Sequence, residues 1–226
     1  MPALAASLER RAAGKRAAKF PGIRTAADGS DAVVWVESNL SQAAYAYTMP
    51  PANRMAEHFE REVGRGKRNL WDEPLVYRAA ECASSAASMC EGFALAGGRV
   101  TTFTGGQHLL QISEVLHAAA GKRLPMVFHV AASALASQAM TIQAGHDDIS
   151  AVTDCGWGIL FARNAQEAAD LAVIARRAAE LSETPFLNVQ DGFITTHGFE
   201  TVYLPEPELL KVFVGAPERR VRNLFN

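Results

Sequence analysis

The stretch TTFTGGQHLLQISEVLHAAAGKRLPMVFHVAASALASQAMTIQAGHDDI, Thr101–Ile149, decides the fold. It opens on a β-branched and aromatic run and turns at Thr104-Gly105-Gly106-Gln107. Leu109, Leu110, Ile112, Val115 and Leu116 then recur at helical spacing, so a helix is expected from Gln107 to Ala119. A second apolar run, Met126–Val130, follows, and the stretch closes on Ala-Gly-His-Asp-Asp. Strand, glycine turn, helix and buried strand make one unit of a parallel sheet. Such a unit sets loop residues at the carboxyl ends of strands, where open α/β sheets bind ligands.

Outward from this unit the same alternation continues. Ala43–Met49 is a short apolar strand stopped by Pro50-Pro51, and the prolines open a helix from Ala52 to Val63. Gly64–Asp72 reads as a polar loop, Leu75–Ala80 as a strand, and Ala83–Ala96 as a helix of small residues. Gly156–Ala162 is a further strand. Asn164 caps a helix that runs to Ser182, with Glu167 in the capping-box position. Thr184-Pro185 breaks it before the strand Phe186–Val189. The expected architecture is α/β, a mainly parallel sheet with helices on both faces. We divide the chain into a basic arm over 1–27, one α/β domain over 28–204, and a linker or tail over 205–226.

Composition bounds the function. At 226 residues, 49% hydrophobic and with a net charge of −2, the chain suits one soluble domain and gives no sign of a nucleic-acid partner. Nowhere do about 18 apolar residues run together, so no membrane span is expected. Three cysteines (Cys82, Cys90 and Cys155) without CxxC argue for a reducing, cytoplasmic setting and against a cluster on this chain, and all three read as core or near-core thiols. In the first 24 residues Arg10, Arg11, Lys15, Arg16, Lys19 and Arg24 face only Glu9, as in a surface arm or a transit peptide.

Few residues offer chemistry. Glu81 follows an apolar strand and precedes Cys-Ala-Ser-Ser-Ala-Ala, where a carboxylate could meet a flat heterocycle; it could equally be a helix-dipole partner. Gly105, Gly106 and Gln107 form either a ligand-approaching turn or an ordinary βα connection. His146-Asp147-Asp148 has no second histidine or cysteine at metal-binding spacing, so no metal site is expected, and a polar loop with a cap at Asp147 or Asp148 explains it. Asp191-Gly192-Phe193 reads as a turn after the last strand. No Gly-x-Ser-x-Gly is present, so a hydrolase nucleophile elbow is not indicated.

Taken in order, the segments resemble the first, pyrimidine-binding domain of the pyruvate:ferredoxin (flavodoxin) oxidoreductase family. Asp28–Val33 looks like the family's opening DGNEAV, AYTMPPANRM at 46–55 stands for its YPITPSSxM turn, and Ala80-Glu81-Cys82 for its SE motif. TTFTGGQHLL, VFHVAASAL, AGHDD, ILFARNAQEAADLA and PFLNVQDGFITTH complete the set. The likeness runs from Asp28 to Asn226.

The resemblance implies a thiamine diphosphate-binding fold and a share in the oxidative decarboxylation of a 2-oxoacid. Glu81 would contact the aminopyrimidine, with Gly105, Gly106 and Gln107 shaping the pocket. The thiamine diphosphate would be shared with a partner domain, and Mg²⁺ and iron–sulfur clusters would sit on other domains or subunits. The chain alone would be inactive and would work in a homo- or hetero-oligomer. Two positions depart from the family. Pro50 stands where a threonine touches substrate, and Ser133 where an arginine pairs with the oxoacid carboxylate. These departures leave open a non-catalytic scaffold paralogue, or a different oxoacid served by a new cation from Arg54, Arg78 or Lys122.

Overall fold

A computed structural model describes residues 19–47, 49–135 and 143–217. The arm's Arg10, Arg11, Lys15 and Arg16 and the end of the tail lie outside the described residues. Six strands form one parallel sheet in the order β3-β2-β4-β5-β7-β6. They are β2 (Ala43–Ala46), β3 (Val76–Ala79), β4 (Val100–Gly105), β5 (Val127–Ala132), β6 (Gly158–Ala162) and β7 (Phe186–Asp191). The central strands β4 and β5 are buried along their whole length, which their near-continuous apolar runs foretell. The fold class is therefore α/β with a mainly parallel sheet.

Helices cover both faces. On one lie α3 (Ala83–Leu95), α4 (Gly106–Gln111), α5 (Ser113–Gly121) and α6 (Asp147–Ser150), with Phe128, Val130, Leu187 and Val189 beneath them. The helix expected over Gln107–Ala119 is thus two helices, divided at Ile112, whose N–H is shared between the carbonyls of His108 and Leu109. On the other face lie α1 (Gly29–Leu40), α2 (Asn53–Gly64) and α7 (Ala165–Ser182). Asn164 caps α7 through Oδ1 to the Glu167 N–H at 2.9 Å, while Glu167 reaches back to the Arg163 N–H at 3.1 Å. The sequence reading places no helix at α1, yet Asp28 Oδ1 caps it by accepting the Asp31 N–H at 2.8 Å.

Both ends of the described chain belong to this fold. Ile23–Ala27, placed by the sequence division in the arm, is strand β1, antiparallel to β8 (Glu200–Leu204) in a separate two-stranded ribbon. Past the short α8 (Ile194–His197), Pro207–Val214 is a helix, α9, inside the segment read as a tail. Its Leu210 and Val214 are buried with Val36 and Leu40 of α1 and Ala172 and Val173 of α7. Apolar residues at helical spacing, here Leu210 and Val214, need such a surface to bury against.

The core holds a polar knot. Glu37, His129 and Arg176 are each fully buried. Arg176 Nη2 donates to Glu37 Oε2 at 2.9 Å and to the Val100 carbonyl at 3.2 Å. Ser41 Oγ donates to the same carboxylate. Asn188 Nδ2 donates to His129 Nδ1 at 3.1 Å, which leaves His129 Nε2 to donate to Glu37 Oε1 at 2.9 Å. Burial alone would raise the Glu37 carboxyl, but Arg176, His129 and Ser41 outweigh it and hold it down to about 2. The knot thereby joins α1, α7, β4, β5 and β7.

Two outcomes follow. Arg176→Met leaves the buried Glu37 carboxylate without its guanidinium partner and is expected to cost about 3–5 kcal/mol in urea denaturation. The folded-state value of Glu37 lies below its ordinary 4.5, so its contribution is fully present above that pH and is lost as pH falls towards about 2. That loss, about 3 kcal/mol for the shift, is expected in acid titration of the parent and absent from Glu37→Gln.

Candidate functional site

The sheet changes direction at β2. From β2 the chain steps to β3 on one side, then returns across it to β4 on the other. Crevices at such a reversal, outside the carboxyl ends of the strands, are where doubly wound sheets take ligands. The exits of β2 and β4 carry Pro50-Pro51 and Gly105-Gly106-Gln107.

The proline turn packs over the strand ends. A side chain on Gly105 would lie 3.6 Å from Pro51 Cδ and 3.9 Å from the Pro50 carbonyl oxygen. One on Gly192, just past β7, would meet Pro51 Cγ at 2.7 Å and the Ala132 carbonyl at 2.4 Å. The Gly192 N–H donates to that carbonyl at 2.7 Å. Glycine at 192 thus lets the ends of β5 and β7 and the proline turn converge. Asp191 Oδ1 accepts the Phe193 N–H at 2.8 Å, so Asp191-Gly192-Phe193 is a turn, as its letters suggest.

Gly106 is held by Asp148. A Cβ at 106 would sit 1.5 Å from Asp148 Oδ2, so the first turn of α4 reaches Asp148 only because it has no side chain there. Asp148 is fully buried, and burial raises its carboxyl above the ordinary range. Its Oδ2 accepts the Ser133 N–H and its Oδ1 the Ile149 N–H, each at 2.8 Å. Asp147 Oδ2 accepts the Leu135 N–H at 3.1 Å. The two aspartates therefore fasten the loop after β5 and do not serve as helix caps; residue 146 holds the cap position with no side-chain bond. Ser133 is buried, and Gln107 Nε2 donates to the neighbouring Ala134 carbonyl at 3.3 Å. Pro50, Gly105, Gly106, Gln107 and Ser133 are thereby brought to one end of the sheet.

Glu81 lies at the same end, past β3 on the sheet edge. It is exposed and makes no hydrogen bond or ion pair among the described residues. Ser84 Oγ donates to the Gln111 carbonyl at 3.1 Å, tying the start of α3 to the end of α4. Cys82 is not a core thiol: it is exposed and caps α3, its Sγ accepting the Ser85 N–H at 3.4 Å. That contact and the Ser85 hydroxyl lower its thiol. Cys90 and Cys155 are buried. Of the candidate cations, Arg54 is paired with buried Asp28 at 2.6 Å and Lys122 with Glu91. Arg78 is exposed on β3, opposite Tyr45. None of the three pairs with Ser133.

The sequence reading passes over His108. It is buried in the first turn of α4, its ring centroid 5.3 Å from that of Tyr47, and its Nδ1 has no hydrogen-bond partner among the described residues. Burial lowers its pKa, so the ring is neutral at neutral pH. Its place in GGQHLL, inside a glycine-turned helix start, is the signal in the sequence.

The two glycines of the turn should respond differently to alanine. Gly106→Ala collides with Asp148 and is expected to cost about 1–3 kcal/mol, whereas Gly105→Ala meets only ordinary contacts and should be near neutral. Thermal denaturation of the two variants side by side checks this.

Comparison with known proteins agrees with this fold. The family described as "Pyruvate flavodoxin/ferredoxin oxidoreductase, thiamine diP-bdg" matches residues 36–223. A pyruvate-flavodoxin oxidoreductase of Klebsiella pneumoniae is 34% identical over 190 residues, covering 84% of this chain and 16% of that protein. The mitochondrial pyruvate dehydrogenase [NADP(+)] of Euglena gracilis is 35% identical over 186 residues, 82% of this chain and 10% of its own length. The fold is shared with a 2-oxoglutarate:ferredoxin oxidoreductase from Magnetococcus marinus, at a TM-score of 0.69 and 21% identity over 83% of this chain and 32% of that one. The chain thus spans only a small part of these relatives, and it belongs to the pyruvate flavodoxin/ferredoxin oxidoreductase thiamine diphosphate-binding family.

Proposed function

We propose that this chain forms the pyrimidine side of a thiamine diphosphate site in a 2-oxoacid:ferredoxin/flavodoxin oxidoreductase-like complex, which oxidatively decarboxylates a 2-oxoacid. Glu81 carries the reading. It is an exposed carboxylate without a partner among the described residues, set before the small side chains Cys82, Ala83, Ser84 and Ser85 at the ligand-binding end of a parallel sheet. An aminopyrimidine fits such a niche: the carboxylate faces the ring, and the small residues leave room for a flat heterocycle.

Thiamine diphosphate, when bound, supplies the nucleophilic carbon and the electron sink for decarboxylation. The chain's own residues bind and orient. Glu81 would hold a proton at its carboxyl and share it with a ring nitrogen. Gly105, Gly106 and Gln107 would shape the pocket, and the Pro50-Pro51 turn would shield the crevice from water. Among the described residues no group of three or more His, Cys, Asp or Glu could hold a metal ion. In this reading Mg²⁺, the diphosphate and the iron–sulfur clusters belong to other domains or subunits. The chain acts as one part of a homo- or hetero-oligomeric cytoplasmic complex and is inactive by itself.

A second reading rests on the substrate end of the site. Pro50 offers neither hydroxyl nor N–H, Ser133 offers no guanidinium, and Arg54 and Lys122 are engaged elsewhere. A scaffold paralogue that keeps fold and interface would tolerate all of these.

The complex purified from its native source separates the two. Under the enzyme reading it binds thiamine diphosphate, and Glu81→Gln lowers thiamine-dependent 2-oxoacid oxidation by about 100-fold or more. Because Glu81 is exposed, the substitution should shift stability by no more than about 0.5 kcal/mol. Activity indifferent to Glu81 would favour the scaffold.

A further inference from the structure

The two strands of the β1–β8 ribbon differ at their outer edges. Residues facing each other across an antiparallel pair alternate between bonded to one another and turned outward. In β8, Tyr203 turns its N–H and carbonyl outward, and Gln166 of α7 answers both, at 2.7 and 3.0 Å. Arg24 lies opposite Tyr203 in the register, so Arg24 and, two residues on, Ala26 turn theirs outward from β1. Both residues are exposed, and these backbone groups make no hydrogen bond among the described residues. One edge of the ribbon is therefore covered and the other is open.

Beside the open edge runs a groove of about 320 Å³ between β1, α1 and α2. Val34 and Trp35 give it an apolar wall, and α2 supplies most of its charge. Asp31 is answered by His58 at 2.5 Å, and Glu62 by Arg65 at 2.7 Å and Lys67 at 3.4 Å. The guanidinium of Arg61, in the same groove, makes no ion pair or hydrogen bond among the described residues. Arg61, Arg65 and Lys67 thus outnumber Asp31 and Glu62, and the groove is positive even with His58 neutral. An unpaired strand edge is a template for another extended chain, and flanking charge selects which one. The ends of this chain do not match it. Arg10, Arg11, Lys15 and Arg16 oppose only Glu9 in residues 1–18, and Arg219, Arg220 and Arg222 oppose only Glu218 in residues 218–226.

We propose that the outer edge of β1 receives an acidic, extended segment of another polypeptide, which adds a third strand to the ribbon while its carboxylates pair with Arg61 and Arg65. The backbone groups of Arg24 and Ala26 supply the ladder, which is indifferent to sequence. The α2 cations supply the choice of partner and speed the encounter. None of these residues belongs to the candidate site, so the inference stands apart from the thiamine reading.

The test titrates the full chain with a capped peptide of alternating valine and glutamate, at low ionic strength and followed by calorimetry. Two relatives of the peptide serve as controls. One carries lysine for glutamate; the other keeps its carboxylates but is methylated at every backbone nitrogen and cannot complete a ladder. Both are expected to bind at least about tenfold more weakly. Arg61→Gln, at an exposed position that folding does not need, should weaken the valine–glutamate peptide about two- to fivefold. Ala26→Pro removes an outward N–H while sparing the bonds to β8, and should weaken it about five- to tenfold with the α2 charges untouched. Failure of that peptide to bind at millimolar concentration would overturn the proposal. Equal binding of the methylated peptide would do so too, since the groove would then only attract polyanions. A dimer of the chain that Ala26→Pro dissolves would give the edge to a second copy and likewise overturn the assignment.

Discussion

Everything in the sheet hangs on the ion pair between Glu37 and Arg176, drawn into a fully buried knot with His129, Ser41 and Asn188. A charge pair removed from water gains little over an apolar contact of the same size, and a broken one is costly. Its consequence here is register. His129 points to the α1 face of β5 while Phe128 and Val130 point to the other, so a one-residue slip would put an imidazole among the apolar side chains under α3 and α5. The knot sits under the middle of the sheet and holds α1 and α7 to the strands whose far ends build the site.

At those ends the geometry is set by contacts that tolerate no side chain. Gly192 admits Pro51 to the ends of β5 and β7, and Gly106 admits Asp148 to the first turn of α4. Asp148 in turn holds the backbone of Ser133. The crevice is therefore a chain of close approaches from the proline turn to the loop after β5, supported by rigid strands, which suits a site that must orient a planar cofactor. Glu81 differs from the rest. It is exposed at the sheet edge, and that is intelligible for a carboxylate whose remaining surroundings come from another domain.

Much of this was legible in the sequence. β-branched runs gave the central strands, small residues gave α3, and Asn164 with Glu167 gave the start of α7. What escaped has physical reasons. α1 was missed because its apolar run, Ala32–Val36, reads equally as strand until Asp28 is recognised as a cap. β1 and β8 pair only with each other across the length of the domain, a contact that no local pattern encodes. The knot was visible only as a misfit: Arg176 falls at the spacing of the buried Ala165, Ala169 and Ala172 on α7, where an arginine needs a partner. The break at Ile112 and the exposure of Cys82 depend on packing around α4 and α3, and His108 was hidden among apolar neighbours.

The central claim is that Glu81 faces the aminopyrimidine of a thiamine diphosphate held between this chain and a partner. The most direct measurement is an experimental structure of the native complex with thiamine diphosphate bound. The account predicts a Glu81 carboxylate oxygen within about 2.6–3.2 Å of a pyrimidine ring nitrogen, with the ring over the start of α3. A pyrimidine bound away from Glu81, or a complex in which the crevice between the ends of β2 and β4 is closed by protein with no cofactor in it, would contradict the account.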